Sequence, residues 1–327
     1  MKTETAETLP PAAGSSGLFR NITKKLLNAG LIIFLFVTIA FFAIASPHFL
    51  AFNNFMNILL SVSIIGITAP AMTVVVVAKG LDLSVGSTMA LAGSMETLVA
   101  VTYGLPWWAG LLSGLLVGLL VGVVNSLLIT RVKISPIITT LGTMGIVRGT
   151  AFVITNGQSI FIQSPPLEWI GLGRVLGIPV PVIIMIAIFF LFWWVCRFTV
   201  FGRYIYSIGG NAVASRLAGI RVNRVVDILY IVTGGLSALS GMVIVGFSAT
   251  SLPSAGAGYE LDIITAVLLG GASLEGGEGS VWRTLLGVVI IGIINNGMAL
   301  LNVPPYWQIL SKGALLLLAV AADKLKK

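Results

Sequence analysis

The chain has 327 residues, of which 57% are hydrophobic and only 9% charged, and its mean hydropathy is +1.05. Soluble domains carry roughly 25% charged residues and need a polar skin, so this composition excludes a soluble globule, a disordered chain, a nucleic-acid-binding module and a disulfide-stapled secreted domain. It leaves an integral membrane protein, and the net charge of +8 fits basic residues in cytoplasmic loops better than an anionic partner.

In chain order, residues 1–25, with the run LPPAAGSSG, read as a disordered cytoplasmic tail. Residues 26–324 read as one transmembrane domain, and 325–327 as a second cytoplasmic tail. A membrane helix needs about 20 mostly apolar residues. Ten runs meet or approach that length, at 26–45, 57–78, 84–103, 106–130, 134–154, 178–196, 225–247, 261–273, 284–301 and 305–322. The eighth is too short to span alone and is expected to be extended, broken or buried inside the bundle. The first follows Lys24-Lys25 and closes on Ala43-Ile44-Ala45, a cleavage-like end. It exceeds the roughly 7–15 residues of a signal-peptide core, so it reads as an uncleaved anchor. In the fourth run Gly110, Gly114, Gly118 and Gly122 recur every four residues, a seam for close helix packing. The single cysteine, Cys196, reads as packed and inert. The lone His48 has no cysteine or acidic cluster near it, so neither a metal nor a cofactor is expected.

Orientation follows from the basic residues. Lys2, Arg20, Lys24 and Lys25 lie in the tail, Arg131 and Lys133 after the fourth run, and Arg197, Arg203, Arg216, Arg221 and Arg224 after the sixth. Lys324, Lys326 and Lys327 close the chain, so fourteen of the 19 Lys and Arg residues fall on one side of a ten-span path with both termini cytoplasmic. An internal repeat accompanies this path. GVVNSLL from Gly122 matches GIINNGM from Gly292, which aligns Asn125 with Asn295. Leu81-Asp82 matches Leu261-Asp262, and Leu141-Gly142 matches Lys312-Gly313. Five spans separate each pair. Five is odd, so the halves, about 26–155 and 175–324, would face opposite ways, as the inverted repeats of transporters do.

Two regions carry candidate chemistry. Segments five and ten place Ser135, Thr139 and Thr143, and Trp307, Gln308 and Ser311, at helical spacing. With Asn125 and Asn295 they offer hydroxyls, amides and a ring for a sugar to stack on; alternatively the hydroxyls bond back to their own helices. The loop GRYIYSIGGNAVASRLAGI, Gly202 to Ile220, is the second. Gly209-Gly210 are expected to break the chain, Asn211 to cap a helix of about two turns over Ala212–Ala218, and Gly219 to close it. Ala212, Ala214 and Ala218 would let another protein approach closely, with Arg216 paired to an acid on it. The other reading lays the helix on lipid headgroups, with Arg216, Arg221 and Arg224 on phosphates.

This loop resembles the coupling segment of ATP-binding-cassette (ABC) importer permeases of the ribose/galactose type, relatives of the branched-chain amino acid permeases. The stretches GLDLSVGS (Gly80, Asp82, Ser84 and Gly86), GYELDIITAVLLGGASLEGGEGS (Glu260, Asp262, Gly270 and Gly271) and NNGMALLNV resemble the same family, as do Arg148-Gly149 and AVAAD. The likeness covers nearly the whole chain after residue 25. Lys79, Pro70, Arg283 and Glu278 depart from the family pattern. The resemblance implies an all-α membrane protein of ten helices in two inverted halves, paired with a second permease copy. It also implies a separate ATPase, which the 209–219 helix would contact, and a periplasmic sugar-binding protein, in a bacterial inner membrane. Glu96, Arg148, Asp227 and Lys312 sit within or near apolar runs, where burying an ion costs at least about 2.5–3.5 kcal/mol. With energy supplied by ATP elsewhere, they are expected to pair with one another between helices.

Other functions fare worse. No GxxxxGK[ST] occurs, so the chain lacks a phosphate-cradling loop of its own. No HExxH, CxxC or Ser/His/Asp set supports an intramembrane enzyme. A stand-alone ion-coupled transporter, with Glu96 and Asp227 carrying protons, and a permease for another small polar solute are the alternatives.

Overall fold

The computed structural model describes residues 15–325. Thirteen α-helices form the described chain: α1 (Ser15–Ala45), α2 (Phe52–Val77), α3 (Val85–Thr97), α4 (Trp107–Thr130), α5 (Pro136–Ile154), α6 (Pro165–Leu172), α7 (Val180–Phe198), α8 (Val200–Gly210), α9 (Ala212–Leu217), α10 (Val222–Ser248), α11 (Tyr259–Leu269), α12 (Val281–Leu300) and α13 (Pro305–Leu325). Among the described residues seven of them, α2, α4, α5, α7, α10, α12 and α13, are long and apolar enough to cross a membrane. The apolar part of α1, Gly30–Ala45, is shorter. The third run divides into α3 and a π-helical turn (Leu98–Thr102), and the eighth is α11, buried over Asp262–Leu268. Residues 15–25, expected as disordered tail, belong to α1: after Gly17 the segment holds no glycine or proline to stop the helix before Gly30. The rest of the N-terminal tail, and residues 326–327, lie outside the described residues.

The packing repeats itself. The short helix α3 lies against α4, α5 and α10, and the short helix α11 lies against α12, α13 and α2. Helix α4 packs on α10 as α12 packs on α2, and α2 meets α10 at the centre. The glycine seam of α4 does what its spacing predicts. A Cβ at Gly110 or Gly114 would come within 2.7 or 2.8 Å of a carbonyl of α3, those of Glu96 and Ala92. A Cβ at Gly118 or Gly122 would collide with the backbone of α10 at Gly234 and Tyr230. Close backbone approach of this kind gains dispersion contacts that larger side chains would prevent.

Connecting segments sort to two ends of the bundle. At one end β1 (Ile160–Phe161) pairs antiparallel with β4 (Thr250–Ser251). There too β2 (Arg174–Val175) and β3 (Ile178–Pro179) form a hairpin, turned by Leu176 and Gly177 at φ 53° and 81°. At the other end Gly277 donates its N–H to the Val77 carbonyl (2.8 Å), Arg131 pairs with Asp227 (2.9 Å), and Lys324 pairs with Glu275 (2.8 Å).

Candidate substrate path and coupling surface

The chain between α2 and α3 turns back at Lys79, which adopts a left-handed φ of 65°. That conformation favours glycine and is uncommon for a residue with a long side chain. Beyond the turn, Asp82 is almost wholly buried, and its Oδ1 accepts from the Ser84 N–H (2.9 Å) and the Ser84 hydroxyl (2.6 Å). Asn125, on α4, donates to that same hydroxyl oxygen (2.9 Å). Gly80 leaves room for the Tyr230 hydroxyl, which donates to the Leu81 carbonyl (3.3 Å). The second half holds a matching node. Asp262 Oδ2 accepts from Asn295 Nδ2 (3.0 Å) and from Lys312 Nζ (2.7 Å). The two aspartates and two asparagines aligned by the repeat thus occupy equivalent places, each tying a short helix to the long helix after it. Asn125 is buried in its node and Asn295 half-buried in its own.

The N-terminal ends of α3 and α11 meet. Gly86 lies against the Glu260 carboxylate and the Gly256 carbonyl, both of which a Cβ would strike. Glu260 Oε1 accepts from the Gly258 N–H (3.2 Å), while its Oε2 is buried without a hydrogen-bond partner among the described residues. Arg148 of α5 reaches the same region and donates to the carbonyls of Pro253 (2.9 Å) and Ala255 (2.6 Å). Gly256 and Gly258 have φ of 67° and 85°, so the chain entering α11 needs glycine there. At the other end of α11, Gly270 admits the backbone of Thr284, and Gly271 turns the chain at φ 85°.

The polar sets of segments five and ten part company. On α5, Thr143 bonds back to the carbonyls of Thr139 (3.1 Å) and Thr140 (3.3 Å), whereas the buried Thr139 hydroxyl has no partner among the described residues. Ser135 is exposed at the start of the helix and makes no cap bond. On α13, Trp307 is 56% exposed, Gln308 donates to the Val303 carbonyl (2.9 Å), and Ser311 bonds to the Gln308 carbonyl (2.8 Å). Because α5 packs on α3 and α4, and α13 on α11, each set is held by its own half.

The loop helix is built as its caps predict, with one correction. Gly209 and Gly210 do not break the chain: α8 runs through both, and the break falls at Asn211, with φ −155°. The Asn211 carboxamide oxygen accepts from the N–H groups of Val213 and Ala214 (3.0 Å each), which starts α9, and Gly219 takes φ 84° after it. Gly209 is small for packing rather than for turning, since a Cβ would run into the Val77 carbonyl and the backbone of Gly277. Tyr206 of α8 donates to the Gly279 carbonyl (3.0 Å), and burial pushes its pKa up to about 12, so it stays a neutral donor. Thus α8 is clamped to the end of α2 and to the α11–α12 turn. Ala212 is half-buried, and Ala214, Arg216 and Ala218 are exposed. Val213 and Leu217, which sequence reasoning passed over, are 67% and 85% exposed.

The charged residues correct an expectation too. Arg148, Asp227 and Lys312 are satisfied, but none pairs with another of the four: their partners are carbonyls, Arg131 and Asp262. Glu96 is fully buried and neither carboxylate oxygen has a partner among the described residues. Sequence gives no signal for which helix face meets which, and that is the information these pairings depend on.

Comparison with known proteins agrees over the same length. A family described as the permease component of the branched-chain amino acid transport system matches residues 54–320. The ribose import permease protein RbsC of Escherichia coli K12 is 40% identical over 322 residues, 94% of this chain and 97% of that one. RbsC of Bacillus subtilis 168 is 40% identical over 328 residues, 100% of this chain and 99% of its own. The L-arabinose transport system permease protein AraH of Escherichia coli K12 is 38% identical over 293 residues, 90% and 88% of the two chains. No solved structure matches.

Proposed function

The chain belongs to the family of branched-chain amino acid transport system permease components, and from that premise we propose how it works. It is a multi-pass membrane permease of an ABC importer that passes a monosaccharide. The observation that carries this is 40% identity to a ribose import permease across 94% of the chain and 97% of the relative. With no phosphate-cradling motif in its sequence, the chain takes its energy from a separate ATPase subunit and its sugar from a periplasmic binding protein. The membrane is the bacterial inner membrane, where such importers meet both partners.

The ten helical segments form two inverted halves with both termini cytoplasmic. Supporting this are the repeated nodes Asp82–Ser84–Asn125 and Asp262–Asn295, the parallel packing of α3 and α11, and the sorting of connections to two ends. The open sides of α5 and α13 support a homodimer with the sugar path between copies, lined from the exposed Trp307 and half-buried Gln308, with Thr139 and Thr143 buried on α5. In α9 we place the contact with the ATPase. A push on α9 passes through α8 to Val77 and Gly277, hence to the segments that lead into α3 and out of α11. The two short helices would then shift together.

Affinity purification of the membrane complex tests the assignment. An ATPase and a sugar-binding protein should co-purify, with ribose or L-arabinose recovered from the latter. A permease isolated alone that still drives uptake by itself would overturn it.

A further inference from the structure

An apolar groove of about 200 Å³ opens on the bundle between α2, α7, α8 and α10. Only apolar side chains line it, among them Leu191, Val195, Phe201, Ile205, Ile228 and Val232. Protein interiors seldom leave such a space unfilled, because each missing neighbour forfeits dispersion contacts. The wall formed by α10 continues a stripe. Arg221, Arg224, Ile228 and Val232 stand at i, i+3, i+7 and i+11, and all four are exposed. At about 1.5 Å per residue, Arg224 lies about 6 Å and Arg221 about 10 Å along the axis before Ile228. Neither arginine has a carboxylate within ion-pair distance among the described residues. Two unpaired cations therefore stand at the end of an apolar slot, which is the complement of a phosphate joined to a fatty chain.

We propose that this groove holds one acyl chain of an anionic glycerophospholipid, whose phosphate rests on Arg221 and Arg224. The lipid belongs to the cytoplasmic leaflet, a placement that rests on the orientation argued above. Basic clusters at that face attract anionic headgroups, and the groove adds an apolar contact that a zwitterionic lipid could share only without the charge. Bound there, the lipid touches α7, α8 and α10 at once and steadies the base of the α8–α9 element.

Native mass spectrometry of the full-length, delipidated permease, offered dioleoyl phosphatidylglycerol or dioleoyl phosphatidylcholine, tests this. One phosphatidylglycerol should be retained at about tenfold higher occupancy than phosphatidylcholine, a difference of roughly 1.4 kcal/mol. The surface pair Arg221→Gln/Arg224→Gln should abolish that preference, and Ile228→Trp should lower retention of both lipids by filling the slot. If Ile228→Trp does not fold, the arginine pair decides alone. Equal retention of the two lipids, a preference that survives in the arginine variant, or release of phosphatidylglycerol when the ATPase binds would each overturn the proposal. Detergent solution has no leaflets, so an error in membrane orientation leaves this result untouched and is detected separately by topology mapping.

Discussion

Asp82 and Asp262, aligned by the sequence repeat, sit in different settings. Asp82 is answered by neutral donors of Ser84, whereas Asp262 takes the ammonium of Lys312 at 2.7 Å. The repeat puts Leu141 where the second half has Lys312, so the first half manages without a cation. Removing one member of a buried pair costs about 3–5 kcal/mol, and here it leaves the Asp262 charge with only the Asn295 amide. Lys312→Leu should therefore lower the Tm in detergent markedly, and adding Asp262→Asn should recover most of the loss. An unchanged Tm in the single variant would contradict this ion pair's role. The aspartates and asparagines were legible in sequence because each occurs twice in the same order. Lys312 was legible only as a charge in an apolar run, since its partner lies 50 positions away on another helix. Glu96 shows the limit: its lack of a partner is a property of packing, which no spacing encodes.

At the scale of elements, the loop between α7 and α10 was the most readable part, because caps are local. Asn211 and Gly219 act through their own backbone neighbours, so sequence alone locates α9. Gly209 misled because a glycine that permits close approach and one that permits a turn look alike in sequence. Gly209→Ala should force the α8 backbone off Val77 and Gly277, at about 1–3 kcal/mol of overpacking. We expect sugar-stimulated ATPase activity of the complex to fall while insertion persists; full stimulation would remove Gly209 from the transmission route. Ala214→Trp distinguishes the two readings of α9. On a protein surface it blocks seating, so the ATPase should no longer co-purify. On lipid headgroups an aromatic ring is welcome, and uptake would remain normal. Val213 and Leu217 at i and i+4 add an exposed apolar edge suited to a protein partner.

For the whole molecule, hydropathy located the seven helices long and apolar enough to cross a membrane among the described residues, because a bilayer demands long apolar runs. The shortness of the eighth run already marked α11 as a candidate buried helix, whereas the third run, long enough to span, gave no sign that it divides into the buried α3 and a π-helical turn. Orientation rests on fourteen of the 19 basic residues. A reporter active only in the cytoplasm should signal when fused after Arg131, Arg216 or Lys327, and be silent after Pro165 or Ser254. Signal from the Pro165 fusion would break the ten-segment path.

This chain is expected to pass a monosaccharide only when a separate ATPase and a binding protein drive it. Proteoliposomes containing the permease, its ATPase and the sugar-loaded binding protein measure this directly, with radiolabelled ribose and L-arabinose in parallel. Accumulation of one of these sugars should require ATP, be lost when the ATPase is omitted, and persist when proton and sodium gradients are collapsed. Accumulation by the permease alone, driven by an ion gradient and indifferent to ATP, would contradict it.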